Sequence, residues 1–173
     1  MQVDAPYLRS VAQKFAINGR VIDVIPYGTG HINDTYLSTW SVDGSMVKYI
    51  QQRINHKVFP FPAQVMHNIV RVTEHLQNKF IAINKRKAVR EVLTVIPTKD
   101  GTPFYRDKEG NFWRTYIFIT NAKTYDVCNG ASHAYEAAKA FAHFQADLSD
   151  LGANSLHKTI PYFHHAPKRF QAL

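Results

Sequence analysis

The spacing of apolar residues changes several times along this chain, and each change marks an element. Leu8, Val11, Ala12 and Phe15 recur at helical spacing behind Asp4-Ala5-Pro6, a capping residue with a proline suited to a first turn. Asn18-Gly19 closes that helix, and from Arg20 the period becomes that of a strand. Val21 to Ile25 and Thr35 to Trp40 read as two strands around the turn Gly28-Thr29-Gly30, and Asp43-Gly44 turns the chain into a third strand, Met46 to Ile54.

Phe59-Pro60-Phe61-Pro62 then breaks the sheet and opens a helix to Lys79, with Val65, Ile69, Val72 and Leu76 on one face. Val89 to Pro97 and Phe112 to Ile119 read as a fourth and a fifth strand, with turns at Asp100-Gly101 and Glu109-Gly110-Asn111. The stretch from Thr120 to Ala131 has a linker's composition. Ser132 is expected to cap a second long helix whose buried stripe is Ala137, Phe141, Phe144 and Leu148. Ala166-Pro167 opens one more helix, which the pattern expects to run on past Leu173.

This order predicts an α+β fold: a mostly antiparallel five-stranded sheet with one helix packed on it. It divides into a lobe over 1–119, a hinge over 120–131, and the beginning of a truncated second lobe over 132–173.

Composition adds limits. At 173 residues the chain suits one domain, or one lobe and part of another, and its 45% apolar content supplies a core and excludes disorder. The single cysteine, Cys128, excludes an internal disulfide framework and fits a reducing, cytoplasmic setting. No apolar run approaches membrane-spanning length, and the first twenty residues carry Asp4 and a polar helix pattern in place of a signal core. The net charge of +8 and pI near 9.6 point to an anionic partner. The densest basic run, Lys85-Arg86-Lys87 with Arg90, reads first as a solvated loop; elsewhere the charge is scattered, which argues against nucleic acid.

The candidate chemistry begins at Gly28-Thr29-Gly30-His31-Ile32-Asn33-Asp34, between the first two strands. Glycines permit the close approach by which backbone amides point at phosphate oxygens, and kinases use such a loop as a lid over ATP. Two glycines between strands are also what a plain hairpin turn contains. His164-His165, with His157 upstream, is the only histidine cluster; nothing at metal-ligand spacing supports it, so no metal ligand is assigned.

In order along the chain, Gly28 to Tyr36, Tyr49-Ile50-Gln51-Gln52-Arg53-Ile54-Asn55, Leu93 to Gly101, Trp113-Arg114-Thr115-Tyr116-Ile117-Phe118-Ile119 and Pro167-Lys168-Arg169-Phe170 form a series of motifs. This series resembles the aminoglycoside phosphotransferase and choline kinase superfamily, which has a protein-kinase-like fold, and within it the N-acetylhexosamine 1-kinase-like phosphotransferases. The likeness spans most of 18–173.

The resemblance implies an ATP-dependent small-molecule kinase, acting with Mg2+ on a hydroxylated substrate such as the anomeric hydroxyl of an N-acetylhexosamine. Gly28, Thr29 and Gly30 would cover the triphosphate, with Asn33 just after the loop. His31 would sit at the loop's tip near the γ-phosphate and incoming hydroxyl, or be an exposed turn histidine. Asp34 would bond a sugar hydroxyl or brace the turn. Phe118 and Ile119 open a hinge, to Asn121, that would bind the adenine edge, and Ile25 and Ile50 would flank the ring or serve only as sheet core.

A cation on the third strand, braced by a carboxylate on the next helix, would neutralise the α- and β-phosphates. Gln52 stands where relatives carry Lys or Arg, and strand alternation sends Gln52 and Arg53 to opposite faces. Charge favours Arg53, and Glu74 is the candidate brace or a solvated helix carboxylate.

The family's His-x-Asp loop, following Asn and later metal-binding Asp have no counterpart: none of nine histidines is followed by Asp two positions on. No catalytic residue is therefore assigned, and the metal ligands are expected in a carboxy-terminal part. The alternative is a non-catalytic basic interaction module or decayed kinase fragment, self-associating through its exposed lobe surface.

Overall fold

The computed structural model describes residues 4–83 and 91–171. The basic run at 85–90 and the first residue of the expected fourth strand, Val89, lie outside the described residues. Helix α1 (Ala5–Ala12) leads into strands β1 (Arg20–Pro26), β2 (Asp34–Val42) and β3 (Ser45–Ile54), followed by helix α2 (Pro62–Ile83). Strands β4 (Val95–Ile96), β5 (Tyr105–Arg106) and β6 (Phe112–Ile117) complete the sheet; helices α3 (Ala131–Asp147) and α4 (Ala166–Phe170) follow. The architecture is α+β, with an open, wholly antiparallel sheet ordered β1-β2-β3-β6-β4 and β5 beside β4 on the outer edge of β6. No helix among the described residues is long and apolar enough to cross a membrane.

Local chemistry explains the first half. Asp4 caps α1, its carboxylate accepting from the Tyr7 amide at 2.9 Å. The β2–β3 hairpin turns on Asp43 and Gly44, at φ 47° and 78°, the left-handed pair whose twist matches that of the strands. α1 ends earlier than its pattern suggests, with Gln13 at its carboxy-terminal cap. Phe15 is fully buried all the same, on an extended segment bridged to Thr98.

The principal core lies under α1. Leu8, Val11 and Ala12 pack with Val21, Val24, Tyr36, Trp40 and Trp113, on the sheet face that these strand residues share. Hydrophobic burial at such positions contributes about 1.5–3 kcal/mol per large side chain. At the edge of this core the Asp107 carboxylate gathers donors. It accepts from Trp113 Nε1 at 2.7 Å, from the Asn111 and Glu109 amides at 2.8 and 2.9 Å, from Asn111 Nδ2 at 3.0 Å, and from the Tyr7 hydroxyl.

The expectation of one helix on the sheet needs correction: two helices lie on opposite faces. α1 covers one, and α2 reaches the other through Met66, whose sulfur touches Arg114. Farther along α2, Leu76 and Phe80 pack with Val92, Val72 and Leu148 in a second, smaller core. Within the described part of the expected fourth strand only Val95–Ile96 joins the sheet, and a short strand at Tyr105–Arg106 was not foreseen.

α3 differs from expectation at both ends. Gly130, at φ 95°, occupies its capping position, which leaves Ser132 inside the first turn. Its apolar stripe is exposed, Phe141 at 71% and Phe144 at 45%, and only Leu148 just beyond the helix joins a core. Periodicity marks the side that a partner would cover, and no described element covers it. The segment after α3 is tied to α2. Lys79 donates to the Asp147 carbonyl at 2.8 Å, Asp150 meets Lys79 and His75, and Asn68 exchanges two hydrogen bonds with the His157 backbone.

Candidate functional site

The glycine loop joins β1 to β2, and its base is closed by the Tyr27 amide donating to the Thr35 carbonyl at 2.9 Å. Gly28 is at φ 79° with open space where a Cβ would stand, and Thr29, Gly30 and His31 are all exposed. Asn33 is already engaged: its side-chain oxygen accepts from the Asn55 amide at 2.9 Å, pinning the loop's exit to the end of β3.

Strand register sorts the remaining candidates onto two faces. Asp34 pairs with Arg53, and the Asp34 carboxylate receives Arg53 Nε at 2.8 Å and Nη2 at 2.6 Å. This pair stands on the α1 face, with the guanidinium 5.8 Å from the Trp113 ring centre. A cavity of about 640 Å³ opens there, lined by Asp4, Leu8, Gly28, Gly30, Asn33, Asp34 and Arg53 among others. Its charged lining is two carboxylates and a guanidinium that one of them already neutralises, which is unfavourable for a phosphate chain.

His31 lines a different recess of about 350 Å³, with Asn55, His56 and Lys57. Glu74 is exposed on α2 beside Thr94, Val95 and Pro97, on the side of the sheet away from Arg53. The expected Arg53–Glu74 brace is therefore not formed. Arg53 is bound instead to Asp34, its cross-strand partner.

The opposite face carries two parallel rows. Ile25, Leu37, Ile50 and Tyr116 are successive cross-strand partners, and they form an apolar row across β1, β2, β3 and β6. The row beside it, nearer the glycine loop, is Thr35, Gln52 and Arg114. Its members are joined: Gln52 Nε2 donates to Thr35 Oγ1 at 2.8 Å, and Gln52 Oε1 accepts from Arg114 Nε at 3.0 Å and Nη2 at 2.6 Å. Arg114 also stacks over Tyr116, 5.2 Å from its ring centre. Burial weakens the hold of the Arg114 guanidinium on its proton and pushes the Tyr116 phenol up to about 12, the nearby cation offsetting part of that rise.

Tyr27 and Phe118 meet edge to face with ring centres 5.7 Å apart, linking the start of the glycine loop to the segment after β6. The Phe118 amide donates to the Lys48 carbonyl at 3.1 Å, so it is committed to the sheet; Ile119 is 43% exposed.

Sequence reasoning missed Arg114 and Tyr27. Strand alternation carried from Gln52 across to β6 points to Arg114, but only once the β3–β6 register is known. Tyr27 gives no local signal. Among the described residues no group of three His, Cys, Asp or Glu side chains is placed to hold a metal ion. No protein-family model matches the chain.

Proposed function

We propose that this chain is a nucleotide-binding lobe of protein-kinase-like type, belonging to an ATP-dependent small-molecule phosphotransferase. The observation that carries the reading is the adjacency of the two rows on one sheet face. An apolar floor (Ile25, Leu37, Ile50) suits a purine ring, and a polar row (Thr35, Gln52, Arg114) lies beside it next to a glycine loop with free backbone. Adenine would lie on the apolar row near Phe118 and Ile119, and its phosphates would run toward Gly28 and Gly30. The motif series supports a sugar or amino sugar as acceptor. The transfer step is assigned to no residue of this chain.

Titrating the protein with ATP and magnesium while following backbone amide resonances tests this. Shifts at Ile25, Gly28, Gly30, Ile50 and Ile119 are expected. A folded sample that shows none at millimolar ATP, or shows them only at Asp4 and Leu8 on the α1 face, overturns the reading.

One observation favours a second reading, that of an interaction module. Tyr135 at 64% and Phe141 at 71% expose large apolar side chains on α3, and Val127 just before it is 69% exposed. Concentration-dependent association without any response to ATP would move that reading to the front.

A further inference from the structure

We propose that Arg114, held in place by Gln52, is the cation that binds the phosphate chain on this face, a role that strand β3 does not fill itself. The inference rests on the reading that a nucleotide lies across the two rows, and it names the residue that anchors its anionic end.

The argument starts from charge. Arg114 is partly buried, and no carboxylate among the described residues lies within ion-pair distance of it. Its bonded partners are the single oxygen Gln52 Oε1, which takes Nε and Nη2, and the weakly accepting sulfur of Met66, 4.0 Å from Nη1. A guanidinium carries five N–H donors, so part of its capacity is unspent, and a desolvated cation without a counter-charge is poised for an anion. Arg53 is the contrast, since its charge is matched by Asp34 on the other face.

Position supplies the second half. Gln52 donates to Thr35 and accepts from Arg114, so its amide has one orientation and fixes the Arg114 fork from beneath. Thr35 is the second residue of β2, so the bonded row begins just past the glycine loop's exit. A planar guanidinium fork matches a phosphate oxyanion bidentately, and the row it closes runs two strands, from β6 through β3 to β2, toward that exit. On α2, the residue that faces Arg114 is Met66, fully buried, so α2 places no carboxylate there to compete with an incoming phosphate.

Three ligands separate the outcomes: ATP, adenosine and inorganic tripolyphosphate. Arg114→Met should weaken ATP binding by about tenfold or more, the loss expected for a charge-assisted contact, and leave adenosine binding unchanged. Arg114→Lys should recover part of the loss, and Gln52→Leu, which frees the fork, should lose part of it. Arg53→Met should not change ATP affinity. In the unsubstituted protein, tripolyphosphate should move the side-chain Nε–Hε resonance of Arg114. Unchanged ATP affinity in Arg114→Met, or equal losses for ATP and adenosine, overturns the proposal while the nucleotide reading stands. If neither ATP nor adenosine binds, the nucleotide reading fails, and the tripolyphosphate shift alone decides whether Arg114 is an anion site. Should Arg114→Met not fold, the Gln52→Leu and tripolyphosphate measurements carry the test.

Discussion

The side-chain oxygen of Gln52 accepts two hydrogen bonds from the Arg114 guanidinium, at 3.0 and 2.6 Å, across neighbouring strands of the sheet. A neutral amide thus supports a cation that no carboxylate among the described residues balances, an arrangement costly to a fold.

The stability of this pair should run against the binding role proposed for it. Gln52→Leu alone should cost about 1–3 kcal/mol, because it leaves the guanidinium without its acceptor. The double variant Gln52→Leu/Arg114→Met removes both polar groups, and should match or exceed the native stability, by up to roughly 1–4 kcal/mol. Urea denaturation of the four proteins in the cycle reads this directly; a double variant less stable than Gln52→Leu would contradict it.

Asp107 is expected to be the most sensitive single position in the fold. Asp107→Ala strips acceptors from Trp113 Nε1, the Tyr7 hydroxyl and two backbone amides. Each buried donor left unpaired costs about 1–3 kcal/mol, so a loss of at least roughly 3 kcal/mol is expected. Asp107→Asn, which keeps one acceptor oxygen, should lose less. Thermal melts that rank the two variants the other way would argue against the carboxylate as the organising group.

The pH dependence follows from the same contact. Burial pushes the Asp107 carboxyl up, but hydrogen bonds from Tyr7, Trp113 and Asn111 outweigh it and hold it below its ordinary 3.8. Its stabilisation is therefore complete above pH 3.8 and is lost as pH falls through the lower folded value. Burial, then the bond to Asp107, raises Tyr7 above its ordinary 10.0, so its contribution is complete below pH 10.0 and is lost at higher pH. Tyr116, pushed up to about 12 by burial, adds to the alkaline loss. Denaturation midpoints across pH should show a plateau with both limbs, and Tyr7→Phe should shrink the alkaline one. An alkaline limb of unchanged size in that variant would count against the assignment.

Across β3 and β6, Gln51 Oε1 and Thr115 Oγ1 are buried and bonded to no protein group. Thr115→Val removes one of these oxygens at almost constant shape, and a gain of about 1 kcal/mol is expected. A clear loss in calorimetry would instead mean that the hydroxyl has a bonded role in the folded protein.

Local structure was legible in the amino-acid sequence. Asp4 before Pro6, the Asp43-Gly44 turn and the alternation from Arg20 to Ile54 specify α1 and the β1–β2–β3 meander, because capping, left-handed turns and strand period depend on near neighbours. It also located the glycine loop, and it established that Gln52 and Arg53 point to opposite faces.

Which face each of them meets follows from packing across the whole sheet. Charge favoured Arg53, yet pairing with Asp34 holds it on the α1 side, while Gln52 turns toward α2 and Arg114. That outcome depends on the β3–β6 register, formed between residues some sixty positions apart and set by packing of the whole sheet. The same holds for α3, whose stripe of Phe141 and Phe144 reads as core and stands exposed. Periodicity describes one helix, whereas burial needs a second surface to meet it.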